Sequence, residues 1–289
     1  MIKSIQRFFL NIRVKYDDHP YIFITPLLFL LFAWPLYLGL RPFGGAVAYT
    51  GVLTLLLFLV YVLGFHIYRV LQAEAREQRR HTQALISLHQ QINFRLPMPP
   101  VSGWTATPEL LNLIYFYVRH TRPGHILELG SGLSTLICSY GCHQNDTGTV
   151  WSLDHEQAYL EKTRSLLEQH ELTAYSRLVH APLRPTKITH QTTGKSSTKQ
   201  WYDLSELPDS ISYDVLIVDG PPHGTNPQAR YPAMEKLYAR LNPGAVIIID
   251  DTHREDEQKM ISLWKNAYPG LQEDTRYGIR DGRVLVKTD

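Results

Sequence analysis

Three aspartates at the ends of two apolar segments are the residues best suited to chemistry. Asp219 ends the run Y-D-V-L-I-V-D, and Asp250 and Asp251 end the run A-V-I-I-I-D-D. Carboxylate oxygens are the hard ligands that Mg²⁺ or Ca²⁺ prefers, and a carboxylate can also accept a proton from a reacting hydroxyl. The pattern therefore suggests a divalent-cation or acid–base site, with capping of the next helix as the alternative role for Asp250 or Asp251.

Two histidines follow these aspartates closely. His223 comes shortly after Asp219, and His253 comes shortly after Asp251. Because histidine titrates near neutral pH, either ring could act as the base for a reacting group. A helix cap or a surface position would explain each histidine equally well. The catalytic candidates are thus Asp219, His223 and His253.

A glycine turn at 126–136, I-L-E-L-G-S-G-L-S-T-L, predicts a ligand-binding loop. An apolar strand that carries Glu128 runs into Gly130 and Gly132, and a helix follows. Glycines without a Cβ let a ligand approach the main chain, and free N–H groups at a helix start favour an anion or carboxylate. Thr135 stands where the dinucleotide fingerprint has its third glycine, which disfavours a pyrophosphate-binding dehydrogenase.

Further apolar runs predict the strands of a parallel sheet. The segment V-W-S-L-D at 150–154 ends in Asp154, and a carboxylate at the tip of a second strand is where such folds bind a ribose. Continuous Val, Ile and Leu runs suit strands buried on both faces, and ligands bind at the carboxyl ends of those strands. One edge of the sheet should therefore carry Glu128, Asp154, Asp219, Asp250 and Asp251.

The ordered set of motifs resembles the class I S-adenosylmethionine-dependent methyltransferases. The set comprises E-L-G-S-G at 128–132, Asp154, D-G-P-P at 219–222 and I-D-D at 249–251, and the resemblance covers roughly residues 100–289. It implies an α/β, Rossmann-like fold with a mostly parallel seven-stranded sheet and an antiparallel C-terminal hairpin.

The resemblance also implies a site for S-adenosylmethionine. Gly130 and Gly132 would lie against its methionine part, and Glu128 would lie near its ammonium group. The strand end L-V-H-A-P-L at 178–183 would bring His180 and Ala181 beside the adenine, although the acidic residue often found there is absent. The implied cofactor-binding residues are Glu128, Gly130, Ser131, Gly132, Ser134, Asp154, His180, Ala181 and Asp219.

Within this class, an acid followed by an acid pair is similar to the metal-dependent O-methyltransferases that act on catechols and on macrolide sugars. Their metal ligands carry over onto Asp219, Asp250 and Asp251, which implies Mg²⁺ or another divalent cation as a second cofactor. The prolines of D-G-P-P replace residues from which those families often draw a base. The identity of the base stays open, and so does a site that works without a metal.

Two polar segments lie near the same edge. Residues 184–200 are basic and rich in Ser and Thr, which predicts a mobile loop between the third and fourth strands. Such a loop could serve as a lid or as surface decoration. Further on, Arg230 and Tyr231 could clamp an anionic substrate or could simply start a helix.

The N-terminal part of the chain predicts a membrane anchor. Residues 21–40 and 42–65 carry no charged side chain, and each stretch is long enough to cross a hydrocarbon core of ~30 Å. The short connection between them would make a transmembrane hairpin. A signal peptide is the competing interpretation, but the first stretch follows a polar leader and is followed at once by a second. Lys and Arg flank the outer ends, so both termini and the catalytic domain should be cytoplasmic, beneath a bacterial inner membrane.

The chain thus divides into a cytoplasmic leader (1–20), two transmembrane helices (21–65), a helical arm with a linker (66–103) and the methyltransferase domain (104–289). In the arm, Leu85, Leu88 and Ile92 keep helical spacing. They predict packing either on the catalytic domain or on a second copy of the chain, which would make a homo-oligomer through residues 66–94.

Composition limits the function. A net charge of +2, without a basic stripe interleaved with aromatic residues, gives no support for nucleic-acid binding. We expect a membrane-anchored methyltransferase that O-methylates a hydroxyl of a glycan, a lipid-linked intermediate or a small molecule. The alternatives are a non-catalytic, cofactor-binding membrane scaffold and a nucleotide-dependent oxidoreductase or epimerase.

Overall fold

The computed structural model of the chain describes residues 36–101, 105–189, 194 and 196–289. The predicted leader and most of the first predicted transmembrane stretch therefore lie outside the described residues. Residue contacts divide the chain into two compact units, Met1–Arg79 and Arg80–Asp289. The boundary between the two units falls inside a long helix.

The described part of the first unit is helical. A helical turn at 36–40 and a 3₁₀ turn at Arg41–Phe43 precede helix α1 (Gly45–Gln91), whose 47 residues extend into the second unit. The second predicted span, 42–65, thus lies largely on α1. The predicted continuation of this helix beyond residue 65 is confirmed.

Helix α1 exposes its apolar side chains. It is the one helix among the described residues whose length and composition suit a membrane span, and only 6% of its most apolar 18-residue window is buried. Leu57, Tyr61 and Phe65 are each more than half exposed. Contacts with the described part of the chain therefore do not account for the apolar character of this segment.

The second unit contains a seven-stranded sheet with strand order β3-β2-β1-β6-β7-β9-β8. Strands β3, β2, β1, β6 and β7 are parallel to one another, and β9 is antiparallel to its neighbours β7 and β8. The predicted mostly parallel sheet with a C-terminal antiparallel hairpin is confirmed. The strands of this sheet are β1 (His125–Leu129), β2 (Thr149–Asp154), β3 (Ser176–His180), β6 (Tyr213–Val218), β7 (Leu241–Ile249), β8 (Leu271–Glu273) and β9 (Arg283–Lys287).

Helices cover both faces of the sheet. On β6, Val215 and Ile217 belong to one hydrophobic core, whereas Leu216 and Val218 belong to another on the opposite face. Strands buried on both faces need apolar residues at every position, which explains the continuous runs in the sequence. The helices are α2 (Pro108–Thr121), α3 (Leu133–Asn145), α4 (Gln157–Gln169), α5 (Pro232–Leu237) and α6 (Glu255–Ala267).

The connectivity reverses at β1. The chain first builds the sheet outward from β1 through β2 to β3, and then returns to place β6 on the other side of β1. In open parallel sheets, such a reversal leaves a crevice at the carboxyl ends of the two central strands. The candidate site is expected there.

The segment predicted as a mobile loop is instead a β-hairpin, so that prediction was wrong. Strands β4 (Leu183–Thr189) and β5 (Ser196–Tyr202) pair in an antiparallel register, while residues 190–193 and 195 lie outside the described residues. Polar side chains face solvent on one side of the hairpin, whereas Ile188 and Trp201 are fully buried on the other. The polar composition hid this alternation.

The C-terminal turns of α1 belong to the core of the second unit. Leu88 and Ile92 are fully buried in the cluster that contains α2 and α3. The hydroxyl of Tyr115 on α2 donates to the carbonyl of Gln91 at 3.1 Å. Of the two alternatives for the arm, packing on its own domain is the one that the structure shows.

Candidate active site

A cavity of about 440 Å³ lies at the carboxyl ends of β1, β2, β6 and β7. Small-molecule sites typically occupy ~300–1,000 Å³. The described residues that line it include five carboxylates and two guanidiniums, so its walls carry net negative charge. They are Thr105, Gly130, Ser131, Asp154, His155, Glu156, Tyr159, Tyr202, Asp219, Gly220, Pro222, His223, Arg230, Asp250, Asp251 and Arg254.

The glycine turn after β1 forms part of this wall. Gly130 has φ +104°, a conformation that other residues rarely adopt, and a Cβ there would lie 3.5 Å from the backbone of Asp219. At Gly132, with φ +155°, a Cβ would meet no described atom within 4 Å. The main chain at Gly132 is therefore open to close approach by a ligand.

A buried hydrogen-bond network holds the turn. The Gly132 N–H donates to Thr135 Oγ1 at 3.0 Å, and the Thr135 and Ser152 hydroxyls donate to Glu128 Oε2 at 2.5 and 2.6 Å. Burial raises the pKa of Glu128 to about 7, although hydrogen bonds from the hydroxyls of Ser134, Ser152 and Thr135 act to lower it. Since Thr135 occupies the Gly132 N–H, that donor is not free for a phosphate.

Asp154 at the end of β2 organises the same turn. Its Oδ2 accepts from the backbone N–H and the hydroxyl of Ser131 at 3.0 and 2.8 Å, and its Oδ1 accepts from the Glu156 N–H at 3.0 Å. Burial opposes ionisation, but hydrogen bonds from His155, Glu156 and Ser131 outweigh it and lower the pKa of Asp154. Asp154 is thus an ionised residue that fixes Ser131 at the cavity wall.

The three predicted aspartates converge. Carboxylate oxygens of Asp219, Asp250 and Asp251 lie within 4.8 Å of one another. Burial, with the charge of Asp250 next in importance, raises the pKa of Asp219 well above its ordinary range. Burial and the charge of Asp251 raise the pKa of Asp250 to about 6. The carboxyl groups of Asp219 and Asp250 therefore lose their protons less readily than isolated carboxyl groups do.

Arg230 lies among these carboxylates. Its Nη2 is 3.2 Å from Asp219 Oδ1 and 2.8 Å from Asp251 Oδ2, and its side chain is 3% exposed. Carboxylates and carbonyls of the chain itself accept from both terminal nitrogens of Arg230, so the structure does not support Arg230 as a clamp for an anionic substrate. Arg230 therefore binds one oxygen of Asp219 and one of Asp251, and its positive charge lies beside the cluster for which the sequence predicts a divalent cation.

The two candidate histidines differ in position. His223 lines the cavity, with its side chain 57% exposed and its Nδ1 4.0 Å from Asp256 Oδ2. His253 does not line it, and its Nδ1 lies 3.2 Å from Asp281 Oδ1. Asp251 adopts a left-handed conformation, with φ +61°, and the next N–H donates to the Asp281 carbonyl. The chain turns away there, so the structure does not support His253 as a base.

Several implied cofactor residues lie away from the cavity. His180 is exposed at the end of β3, with Nε2 3.2 Å from the His155 carbonyl, and Ala181 is buried with its N–H bound to the Asp154 carbonyl. Strand β3 ends at His180, within the predicted strand end, yet neither residue is among those that line the cavity. Glu128 and Ser134 are buried, and Gly132 is half-buried with open space beside its Cα; none of the three is among the lining residues. Those in the lining are Gly130, Ser131, Asp154 and Asp219.

The structure adds residues that the sequence did not single out. Tyr202, at the end of the hairpin, lies with its hydroxyl against Gly220, where no side chain would fit. Burial raises the pKa of this phenol well above its usual range, so it stays neutral. The sequence analysis did not single out Tyr202, which lies just beyond the 184–200 segment interpreted as a loop. His155, Glu156 and Arg254 also enter the lining.

Comparisons with known proteins agree with this architecture. A family model described as "Methyltransferase domain" matches residues 127–252. The chain is similar to the SAH-bound methyltransferase PaMTH1 of Podospora anserina, with 14% identity and a TM-score of 0.50, over 75% of this chain and 96% of that one. No curated protein sequence matches the chain significantly.

Two O-methyltransferase structures show lower structural similarity. The enzyme from Bacillus cereus in complex with SAH has 16% identity and a TM-score of 0.46, over 72% of this chain and 90% of that one. TomG from Streptomyces achromogenes, involved in tomaymycin synthesis and solved with SAM, has 15% identity and a TM-score of 0.44, over 72% and 89%. The family model thus matches the part of the chain that contains β1, β2, β6 and β7, and the likeness to PaMTH1 supports the same fold.

Proposed function

We propose that the protein is an S-adenosylmethionine-dependent methyltransferase that acts on a hydroxyl group. The observation that carries the proposal is one cavity at the reversal point of the sheet, where the Gly130–Ser131 turn, Asp154 and Asp219 form adjoining walls. Ligands of open parallel sheets bind at this position. The same residues lie inside the segment that matches the methyltransferase family model.

S-adenosylmethionine fits the chemistry of the cavity. Its sulfonium and ammonium groups are positive, and acidic side chains outnumber arginines among the described lining residues. Asp154 is an ionised carboxylate in the cavity wall beside His155, and a ribose hydroxyl bound there would donate to it. The occupied N–H of Gly132 argues against a pyrophosphate ligand and therefore against the oxidoreductase alternative.

The acidic cluster is suited to proton transfer. The bound cofactor supplies a methyl group; its transfer to a hydroxyl oxygen forms a C–O bond, breaks the S–C bond, leaves that electron pair on sulfur and releases the hydroxyl proton. The chain must accept this proton. Asp250, with a pKa raised to about 6, is ionised above that pH and lies in the cavity wall beside Asp219. Asp250 is therefore the favoured acceptor, with His223 at the rim as the second candidate.

We further propose that the apolar half of α1 and the apolar stretch 21–40 anchor the protein in a bacterial inner membrane. The exposed apolar side chains of α1 and the absence of charge over 42–65 support this proposal. The excess of Lys and Arg outside the two stretches favours cytoplasmic termini and a cytoplasmic catalytic domain. An acceptor at the membrane, such as a lipid-linked or glycan hydroxyl, would suit that location better than a freely diffusing one.

Calorimetry tests the cofactor. The full-length protein in detergent micelles is titrated with S-adenosylmethionine and, separately, with NAD⁺. We expect heat of binding for the first ligand alone, and binding at least about tenfold weaker for Asp154→Asn, which loses charge-assisted hydrogen bonds. The exposed Asp209→Asn variant is the matched control. A folded sample without heat of binding at high micromolar S-adenosylmethionine would refute the assignment.

Activity and location need separate measurements. Membrane and soluble extracts are incubated with the protein and cofactor, and a mass gain of ~14 Da identifies the methylated acceptor. We expect the gain in the membrane fraction and its loss with Asp250→Asn. Binding of the cofactor without any such product would favour the scaffold alternative. Recovery of the protein in the soluble fraction of lysed cells would contradict the anchor.

A further inference from the structure

The guanidinium of Arg230 holds four groups at the tips of two adjacent strands. Its Nη2 donates to the Asp219 carbonyl at 2.9 Å and contacts the Asp219 and Asp251 carboxylates, while its Nη1 donates to the Asp250 carbonyl at 2.9 Å. The two carbonyls follow the parallel strands β6 and β7. Arg230 thus links main chain and carboxylates at the point where the two strands enter the cavity.

The segment around Arg230 fixes the side chain in this position. Gln228 adopts a left-handed conformation, with φ +51°, and its carbonyl accepts from the Tyr231 N–H. Trp264, fully buried on α6, donates from its indole nitrogen to the Tyr231 carbonyl at 2.9 Å. The backbone beside Arg230 is therefore anchored, and its side chain is enclosed in the cluster at 3% exposure.

A divalent ion would compete with Arg230 for the same carboxylates. Mg²⁺ and Ca²⁺ bind carboxylate oxygens at ~2.0–2.6 Å, whereas Nη2 already lies at hydrogen-bond distance from one oxygen each of Asp219 and Asp251. The ion would also be repelled by the fixed positive charge. Arg254 adds a second guanidinium, 2.7 Å from the same Asp251 oxygen. The cluster is thus three carboxylates compensated by two arginines.

We propose that Arg230 takes the place of a divalent cation in this cluster. It supplies the fixed positive charge that orients the Asp219 and Asp251 carboxylates, and the native protein binds no divalent ion there. Arg230 is a positioning residue in this proposal, since it acts through the carboxylates. The inference concerns cation binding and stands apart from methyl transfer; if the proposed function holds, transfer also proceeds in the presence of a chelator.

The test uses Mn²⁺ as the probe, with electron paramagnetic resonance as the measure of free ion. Full-length protein in micelles is stripped with chelator, dialysed and titrated. We expect the wild type to leave the Mn²⁺ signal unchanged. Arg230→Met should bind one ion, with an affinity at least about tenfold higher than that of the wild type, because three carboxylates then converge without Arg230. Adding Asp219→Asn to Arg230→Met should abolish this site. The exposed Arg164→Met is the matched control and should behave as the wild type.

Two results would overturn the proposal. One is stoichiometric Mn²⁺ binding by the wild type that Asp251→Asn abolishes, and this measurement needs no arginine variant. The other is a folded Arg230→Met protein, by circular dichroism, that binds Mn²⁺ no better than the wild type. Since removal of one partner from a buried ion pair is destabilising, Arg230→Met should also gain thermal stability from Mn²⁺, whereas the wild type should not. Cofactor binding, measured separately, can fail without affecting any of these outcomes.

Discussion

Replacement of Glu128 by glutamine should stabilise the protein at pH 8 and leave it almost unchanged near pH 5. The carboxyl is completely buried, and its pKa is raised from 4.5 to about 7. In the unfolded chain it loses its proton above about pH 4.5, whereas the folded chain keeps the proton until about pH 7. Folding therefore takes up a proton in this window, and the free energy of unfolding falls as the pH rises through it.

The size of the effect follows from the same pKa difference. One pH unit corresponds to ~1.4 kcal/mol, so the displacement from 4.5 to about 7 lowers the stability of the wild type by up to ~3 kcal/mol above pH 7. Glutamine stays neutral, and its carbonyl oxygen can accept the hydroxyl hydrogen bonds of Thr135 and Ser152. For a domain of this size, ~3 kcal/mol corresponds to roughly 6–12 °C in Tm. At pH 5 the difference should be under ~1 kcal/mol.

Thermal unfolding followed by circular dichroism between pH 5 and pH 8 measures this difference. The exposed Glu161→Gln variant on α4 serves as the control and should track the wild type at every pH. Melting curves of Glu128→Gln that run parallel to the wild type across the range would refute the reasoning, since they would mean that Glu128 is ionised in both states. If S-adenosylmethionine places its ammonium near Glu128, the cofactor should stabilise the wild type more than Glu128→Gln at pH 8.

Three further predictions concern the turn, the arm and the hairpin. Gly132→Ala should lower the free energy of unfolding by no more than ~1–2 kcal/mol, because only the backbone conformation is strained. It should nevertheless weaken S-adenosylmethionine binding at least about tenfold in a thermal-shift titration, since the new Cβ enters the open space beside the turn. Unchanged affinity would contradict a ligand there. Leu88→Ala should lower the free energy of unfolding by ~2–5 kcal/mol, against ~0.5 kcal/mol or less for the half-exposed Ile86→Ala; equal losses would mean that the arm is not part of the core. Asn226→Ala removes two hydrogen bonds to the backbone of Gln200, at 3.1 and 2.9 Å. Hydrogen exchange of the β5 amides should therefore accelerate. Unaltered exchange would show that the hairpin does not depend on this side chain.

The sheet was predictable because its central strands share the same pattern of burial on both faces. Strands such as β6 bury alternate residues on opposite faces, so every position is apolar and the strand is visible in the sequence. The acidic residues after these strands then meet by topology alone, since parallel strands end on the same edge. Convergence of Asp219, Asp250 and Asp251 needed no knowledge of the loops.

The parts that escaped prediction depend on loop conformation. Arg230 is eleven residues beyond Asp219 in the sequence, and the left-handed Gln228 and the indole of Trp264 bring it back to that carboxylate. His253 shows the reverse case. It is close to Asp251 in the sequence, but the turn between them places its ring beside Asp281 instead. No periodicity encodes such turns.

The hairpin was missed for a different reason. Its residues are polar on the exposed side, and the buried positions are too few to stand out. Trp201 and Tyr202 are the exceptions, and the structure places the second of them in the cavity wall. An aromatic pair at the end of a polar segment is the signal that could have indicated a paired strand.

The position of the unit boundary inside α1 decides where this protein can be cut. Proteolysis at Arg76 or Arg79 would remove the apolar part of the helix and spare Leu88 and Ile92. A cut between residues 92 and 101 would instead strip those two side chains from the α2–α3 core and expose it to water. Limited trypsin digestion should therefore release a folded, soluble domain that begins near residue 80, whereas truncations that begin after residue 95 should aggregate.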